Sequence, residues 1–493
     1  MKRKIIDSAL NEISDQYIEA AASPKKKLRP HWTGAVAAVL ALALLAGVLL
    51  RPTPNNGTDL PTISAWPTDA GPLTPIIIDE GRHGAHAVAT AQYPRQHPYP
   101  TDESANGAYR LWLEDRKALR NHPNGYADNL KESFSRIVPT VLTAQQGENA
   151  VCSPLNLYMA LAMLAQITDG NSRGQILELL NMESMDALRT QAQQVWRSHY
   201  YNDGLSTSIL GSSLWIDENY TCNEETAKLL AEYYFASVFT GDLGTAEMDE
   251  ALQSWLSSQT GGLLDEYIED IRMDPLTVLA LASTIYYQVQ WTGEFHEKFN
   301  TEAPFHSPKG DVDATYMNQT LLHGPYYWGE DFGAVALSLE DGSLMWLFLP
   351  DEGTTPKALL ESGQIFDFLN ASSKNQKDLT INLTLPKFDI SAKRELTKEL
   401  KALGVTDIFQ MGVADFSPIL REKDGGYVSE VTHAARVSID EKGVTAAAFT
   451  LILRCGAAMP PEDRMDFVLD RPFLFVIESQ DGLPLFAGTV YEP

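Results

Sequence analysis

Ten consecutive residues, Glu441-Lys-Gly-Val-Thr-Ala-Ala-Ala-Phe-Thr450, are the part of the chain whose types and spacing say most, and the chemistry they suit is backbone pairing. An acidic turn and Gly443 lead into small and β-prone residues that carry no charge until Arg454. Small side chains let a strand pass between existing strands without clashes, and glycine lets the backbone pivot at low steric cost. Such a segment suits an exposed loop in one state and a buried strand in another. An ordinary apolar strand ahead of a Pro460-Pro461 turn has the same composition.

Side chains that could make or break bonds are sparse. Cys152, Cys222 and Cys455 show neither a disulfide framework nor metal-ligand spacing. The apolar surroundings of Cys152 predict a buried thiol, and Cys455, within the candidate loop, an exposed one. His296-Glu297 and His306 are isolated. The chain holds no phosphate-binding Walker loop, no G-x-G-x-x-G and no H-E-x-x-H. Neither an enzyme nor a cofactor is indicated.

Composition limits the partners. The 493 residues are 44% hydrophobic and 21% charged, enough for a large folded core. A net charge of −27 argues against nucleic acid, whose phosphates need a basic face. The basic excess lies at the N-terminus, where residues 1–31 are expected as a cytoplasmic segment. Thr33 to Leu50 is an uncharged run behind Trp32 and Lys25, Lys26, Lys27 and Arg29. It reads as a transmembrane helix or signal anchor over 32–50, with the C-terminal bulk outside the cell, or secreted if the segment is cleaved as a signal peptide. Proline recurs from Arg51 to about Pro100, so 51–103 is expected as a semi-extended spacer and 104–493 as the folded domain, its core starting near Tyr126.

Periodicity then sketches the elements that must hold the loop. Helices are expected over Tyr126–Thr143, from Ser153-Pro154 through Ile167, and over Thr226–Ala236 and Met248–Ser258. Ser391–Leu403 also reads as a helix, closed by Gly404. Leu276–Gln288 reads as a central strand, Ala334–Leu349 as a hairpin around Asp341-Gly342, and Phe467–Glu478 and Leu485–Tyr491 as a pair around Asp481-Gly482. Helices early and hairpins late make an α+β pattern.

Several segments together resemble the serpin family of serine protease inhibitors, in its bacterial, membrane-anchored type. They are Asn149-Ala-Val-Cys-Ser-Pro-Leu-Asn156, Ser283-Thr-Ile-Tyr-Tyr-Gln-Val-Gln-Trp291, Leu385-Pro-Lys-Phe388, Val428-Ser-Glu-Val-Thr-His433, Asp470-Arg-Pro-Phe-Leu-Phe475 and Phe486-Ala-Gly-Thr-Val490. The resemblance implies three β-sheets, about nine helices and an exposed reactive-centre loop. It implies a hinge at Glu441, Gly443, Val444, Thr445, Ala446, Ala447 and Ala448, and a reactive bond between Ala457 and Ala458. It implies a shutter and breach at Ser153, Asn156, Ser283, Trp291 and His433, although Ser283 stands where asparagine is common and Asn156 where serine is. The implied activity is suicide-type inhibition of an extracellular serine protease with small-residue preference, elastase-like or subtilisin-like, by a monomer without cofactor or metal. A non-inhibitory binding or structural protein of the same fold, or an inhibitor of cysteine proteases, is the alternative.

Overall fold

The computed structural model describes residues 39–42, 84–100, 106–144, 147–260, 268, 271–422, 426–428, 431–444 and 461–493. The chain divides into a unit Met1–Val36, outside the described residues, and a unit Ala37–Pro493, which holds everything that follows. Ten α-helices and two nine-stranded sheets make up the described part, an α+β architecture.

The first sheet is built around two strands that do not pair with each other among the described residues. Leu279–Gln290 pairs on one side, antiparallel, with Ser206–Asp217, from Leu279 through Val289. That strand lies parallel to Ala236–Gly241, and His86–Ala89 closes the edge. Thr432–Ile439 pairs on its far side with Phe388–Glu395. Between the two runs a slot, whose upper end holds Gly443–Val444, paired with both walls. Leu279–Gln290 is buried almost throughout, as expected for a central strand flanked on both sides.

The second sheet accounts for the other two expected. The 19-residue strand Gly310–Trp328 pairs with Gln376–Pro386 along most of its length. Only its last two residues, Tyr327 and Trp328, reach Ala334 and Gly333 of the next strand. This narrow junction merges two sheets into one hydrogen-bonded set. The hairpin turns fall where the sequence signals them, with Gly342 at φ +88° and Gly482 at φ +76°, a region only glycine enters freely.

The helix Pro154–Ile167 passes through the core, every residue but Ala160 buried. Ser153 caps it by accepting the Asn156 N–H at 3.2 Å, and Pro154 sits in the first turn, where its missing N–H costs nothing.

Three expectations meet a different outcome. Ser391–Leu403 is not one helix: Phe388–Glu395 is a strand, followed by the short helix Thr397–Ala402. Eight backbone pairings with Thr432–Ile439 outweigh the helical spacing. Of the proline-rich stretch, residues 84–100 join the fold. They add the edge strand His86–Ala89 and bury Ala85, Ala91 and Tyr93. The third outcome is a correction. Within the run expected to cross a membrane, Val39–Leu42 is a β-strand lying in the slot, antiparallel to both walls. No helix among the described residues is long and apolar enough to span a bilayer, which overturns the single-pass membrane placement. Residues 33–38 and 43–50, and the basic segment before them, lie outside the described residues.

Candidate functional site

The slot is held from beneath by the first turn of the Pro154–Ile167 helix. On one wall, the Ser153 backbone N–H donates to His433 Nε2 at 3.1 Å. On the other, the Asn156 amide donates to the Ser283 carbonyl at 3.3 Å, and the Ser283 hydroxyl donates back to Asn156 Oδ1 at 2.5 Å. Ser212 Oγ, one strand further out, lies 3.5 Å from Ser283 Oγ. All five groups are buried. The resemblance implies serine at 156 and asparagine at 283; this chain has each in the other's place, and the two side chains bond each other.

His433 must be neutral to serve here. Nε2 accepts a hydrogen bond, so the ring proton sits on Nδ1. Burial, with a smaller contribution from the nearby Arg394 guanidinium, pushes its pKa down to about 4. The ring is therefore an uncharged acceptor at neutral pH.

The mouth of the slot is a tight turn, Asp440 to Gly443. The Asp440 N–H donates to the Gly443 carbonyl at 3.1 Å. The Asp440 carboxylate accepts the N–H groups of Lys442 at 2.8 Å and Gly443 at 3.2 Å. Trp291 closes over the turn: its indole N–H donates to the Asp440 carbonyl at 2.8 Å, and its backbone N–H to the Lys442 carbonyl at 2.8 Å. Phe295 donates its N–H to the Glu441 carbonyl at 2.9 Å. Glu441 is buried, and burial alone would raise its pKa; Lys387 and Asn300, which both bond its carboxylate, outweigh that and hold it below the ordinary glutamate range.

Gly443 is required for closeness. A Cβ there would stand 2.3 Å from the Val289 carbonyl oxygen. Val444 follows it into the slot, fully buried between Val289 and Ile439.

The structure thus brings Ser153, Asn156, Ser283 and His433 to the floor of one slot, and Glu441, Gly443, Val444 and Trp291 to its mouth. Thr445, Ala446, Ala447, Ala448, Arg454, Cys455, Ala457 and Ala458 lie outside the described residues. Sequence reasoning missed Asp440, Lys387, Asn300 and Ser212. Asp440, two residues before Lys442 in an Asp-x-x-Gly turn, carried a usable signal, and Lys387 lies in the Leu385-Pro-Lys-Phe388 segment; Asn300 and Ser212 are distant in sequence and carried none.

Two reactive-looking features are inert. Gly170-Asn-Ser-Arg-Gly174 spells the nucleophile-elbow pattern of hydrolases, but it lies within the helix Gly170–Leu179 and Ser172 is buried, accepting the Asp415 N–H at 3.4 Å. The Cys152 thiol is buried, and burial pushes its pKa up to about 12.

Known proteins share this fold. A family model described as "Serpin (serine protease inhibitor)" matches residues 131–493. A putative serpin-Z12 of Oryza sativa subsp. japonica is 30% identical over 71% of this chain and 86% of its own length. An uncharacterized serpin-like protein of Thermococcus kodakarensis is 29% identical, covering 71% and 82%. The crystal structure of a thermophilic serpin, Tengpin, in the native state superposes with a TM-score of 0.66 over 83% of this chain and all of that one, at 23% identity. The qualifiers bacterial and membrane-anchored do not carry forward.

Proposed function

The chain belongs to the serpin family, and from that premise we propose that it traps serine proteases of small-residue preference, elastase-like or subtilisin-like, by inserting its reactive loop into the slot. The observation that carries this reading is Val444, already seated between Val289 and Ile439 at the slot's mouth. The strand has started, and the sequence after it stays uncharged through Leu453.

The protease serine attacks the carbonyl carbon of Ala457. The bond to Ala458 breaks, the Ala458 nitrogen takes the proton and leaves as an amine, and an acyl-enzyme remains. Cleavage frees the loop to follow Val444 downward. Side chains alternate along a strand, so Ala446, Ala448 and Thr450 would fall on the Val444 face and Thr445, Ala447 and Phe449 on the other. None of these is charged. From Gly443 to Ala457, at ~3.3 Å per residue, the new strand would span about 50 Å and carry the acylated protease that distance. Some ten new backbone hydrogen bonds at a net ~1 kcal/mol each supply on the order of 10 kcal/mol. Arg454, an even number of residues after Val444, would fall on the Val444 face near the inserted strand's far end, the least favourable residue in the run.

Small, uncharged Ala457 fits a shallow primary pocket. The functional test is incubation with a pancreatic-type elastase and with a subtilisin, followed by denaturing electrophoresis. A covalent adduct of summed mass is expected. Cleaved chain with fully active protease at every ratio would overturn the reading in favour of a non-inhibitory member of the fold.

A further inference from the structure

Gly443 pairs with Gln290 and Val444 with Val289. A strand continued in that register would set residue 446 opposite Tyr287, 447 opposite Tyr286, 448 opposite Ile285 and 449 opposite Thr284. Val39, Leu40, Ala41 and Leu42 stand opposite those same residues, in that order. The other wall agrees. Val444 pairs with Ile439, which would set 447, 448 and 449 opposite Arg436, Ala435 and Ala434, the partners that Leu40, Ala41 and Leu42 take. Both runs are antiparallel to both walls, so they enter in the same direction.

We propose that the apolar run containing Val39–Leu42 is an intramolecular occupant of the slot, a stand-in for the reactive loop that keeps the loop from inserting until it is displaced. Without a strand between them, the facing backbone N–H and C=O groups of 284–287 and 434–436 would need other partners. The run from Thr33 to Leu50 carries no charge, which suits it to such a place and makes its exposure to water costly. Two strands cannot hold the same register rows, so occupancy by one excludes the other. The fraction of molecules able to trap a protease then falls to the fraction whose slot is free. Occupancy stands on the register alone; its effect on inhibition rests on the inhibitory reading above.

The test uses the full chain with Cys222→Ser and Cys455→Ser. Ala41→Cys with Ala435→Cys places two thiols on directly opposed residues, within disulfide range. Mild oxidation is expected to give a monomer-sized disulfide, read by a tryptic-map mass shift, while Val39→Cys with Ala435→Cys, a diagonal pair about 7 Å or more apart, stays reduced. No disulfide in the first pair, equal disulfide in both, or a dimer-sized product would overturn the proposal.

The second arm is Ala41→Asp in the otherwise unaltered chain, which puts an unpaired charge in the slot. For a slot nine-tenths occupied, protease adduct should form about tenfold faster than in the parent. An unchanged rate overturns the competition between segment and loop. A disulfide in the first arm with no adduct from either chain would leave the occupancy standing and remove the inhibitory reading.

Discussion

Asn156 and Ser283 bond each other twice, amide to carbonyl and hydroxyl to amide oxygen, and so tie the first turn of a core helix to one wall of the slot. Ser153, three residues earlier, ties the same turn to His433 on the other wall. Leu42 pairs with Thr284 and with Ala434, which puts Ser283 and His433 in the next row, facing each other across the slot. The helix turn holds both.

The reciprocal pair predicts a coupled response. Asn156→Ala leaves the buried Ser283 hydroxyl with only the long 3.5 Å contact to Ser212 and should cost roughly 1–3 kcal/mol in urea unfolding. Asn156→Ser combined with Ser283→Asn restores the opposite order. The double variant should recover most of what each single change loses, giving an interaction energy of about 1 kcal/mol or more in a double-mutant cycle. Additive losses would mean that the two residues do not act as a pair.

The slot's mouth predicts a steric and an electrostatic failure. Gly443→Ala drives a Cβ to 2.3 Å from the Val289 oxygen, so the turn must lift and stability should fall on the order of 1–3 kcal/mol. Val444→Arg puts a charge at a fully buried position. Its strand start should be expelled and protease incubation should yield cleaved chain in place of adduct. Unchanged stoichiometry in both variants would disconnect the mouth from inhibition.

His433 gives the slot a pH dependence. Its folded pKa, about 4, lies below the unfolded value near 6.5, so the unfolded chain binds more protons between them. Its contribution is complete above about pH 6.5 and is lost as pH falls toward 4, on the order of 3 kcal/mol in all. Burial also lowers the His199 pKa, so its contribution changes with pH in the same direction. The difference between the parent and His433→Gln isolates His433: urea midpoints of the parent should fall more steeply from pH 7 to pH 4.5. Parallel curves would contradict this.

Specificity should follow the reactive bond. Ala457→Arg is expected to move adduct formation from elastase-like enzymes to trypsin. If trypsin instead cleaves the variant after Arg454 with no adduct, the bond lies elsewhere.

Much of the fold was legible. The Ser153-Pro154 start, the apolar run to Ile167 and the glycine-marked hairpins are local signals, set by capping, burial and positive φ at Gly342 and Gly482. Phe388–Glu395 was misread because its pairing with Thr432–Ile439 is not written in its own residues. Site residues were legible by type, but partners such as Lys387 and Asn300, 54 and 141 positions from Glu441, were not.

The sequence by itself determined which segments are uncharged enough to enter a sheet: Thr33–Leu50 near one end of the chain and Val444–Ile452 near the other. Only the tertiary structure decided that Val39–Leu42, within the first run, lies between the same two strands that hold Val444, where the second begins. An apolar run does not specify its partners, and a helix in lipid or a strand in a sheet would each satisfy its backbone. The open edges of Leu279–Gln290 and Thr432–Ile439, held apart over a helix turn, supply the register that makes Val39–Leu42 a strand.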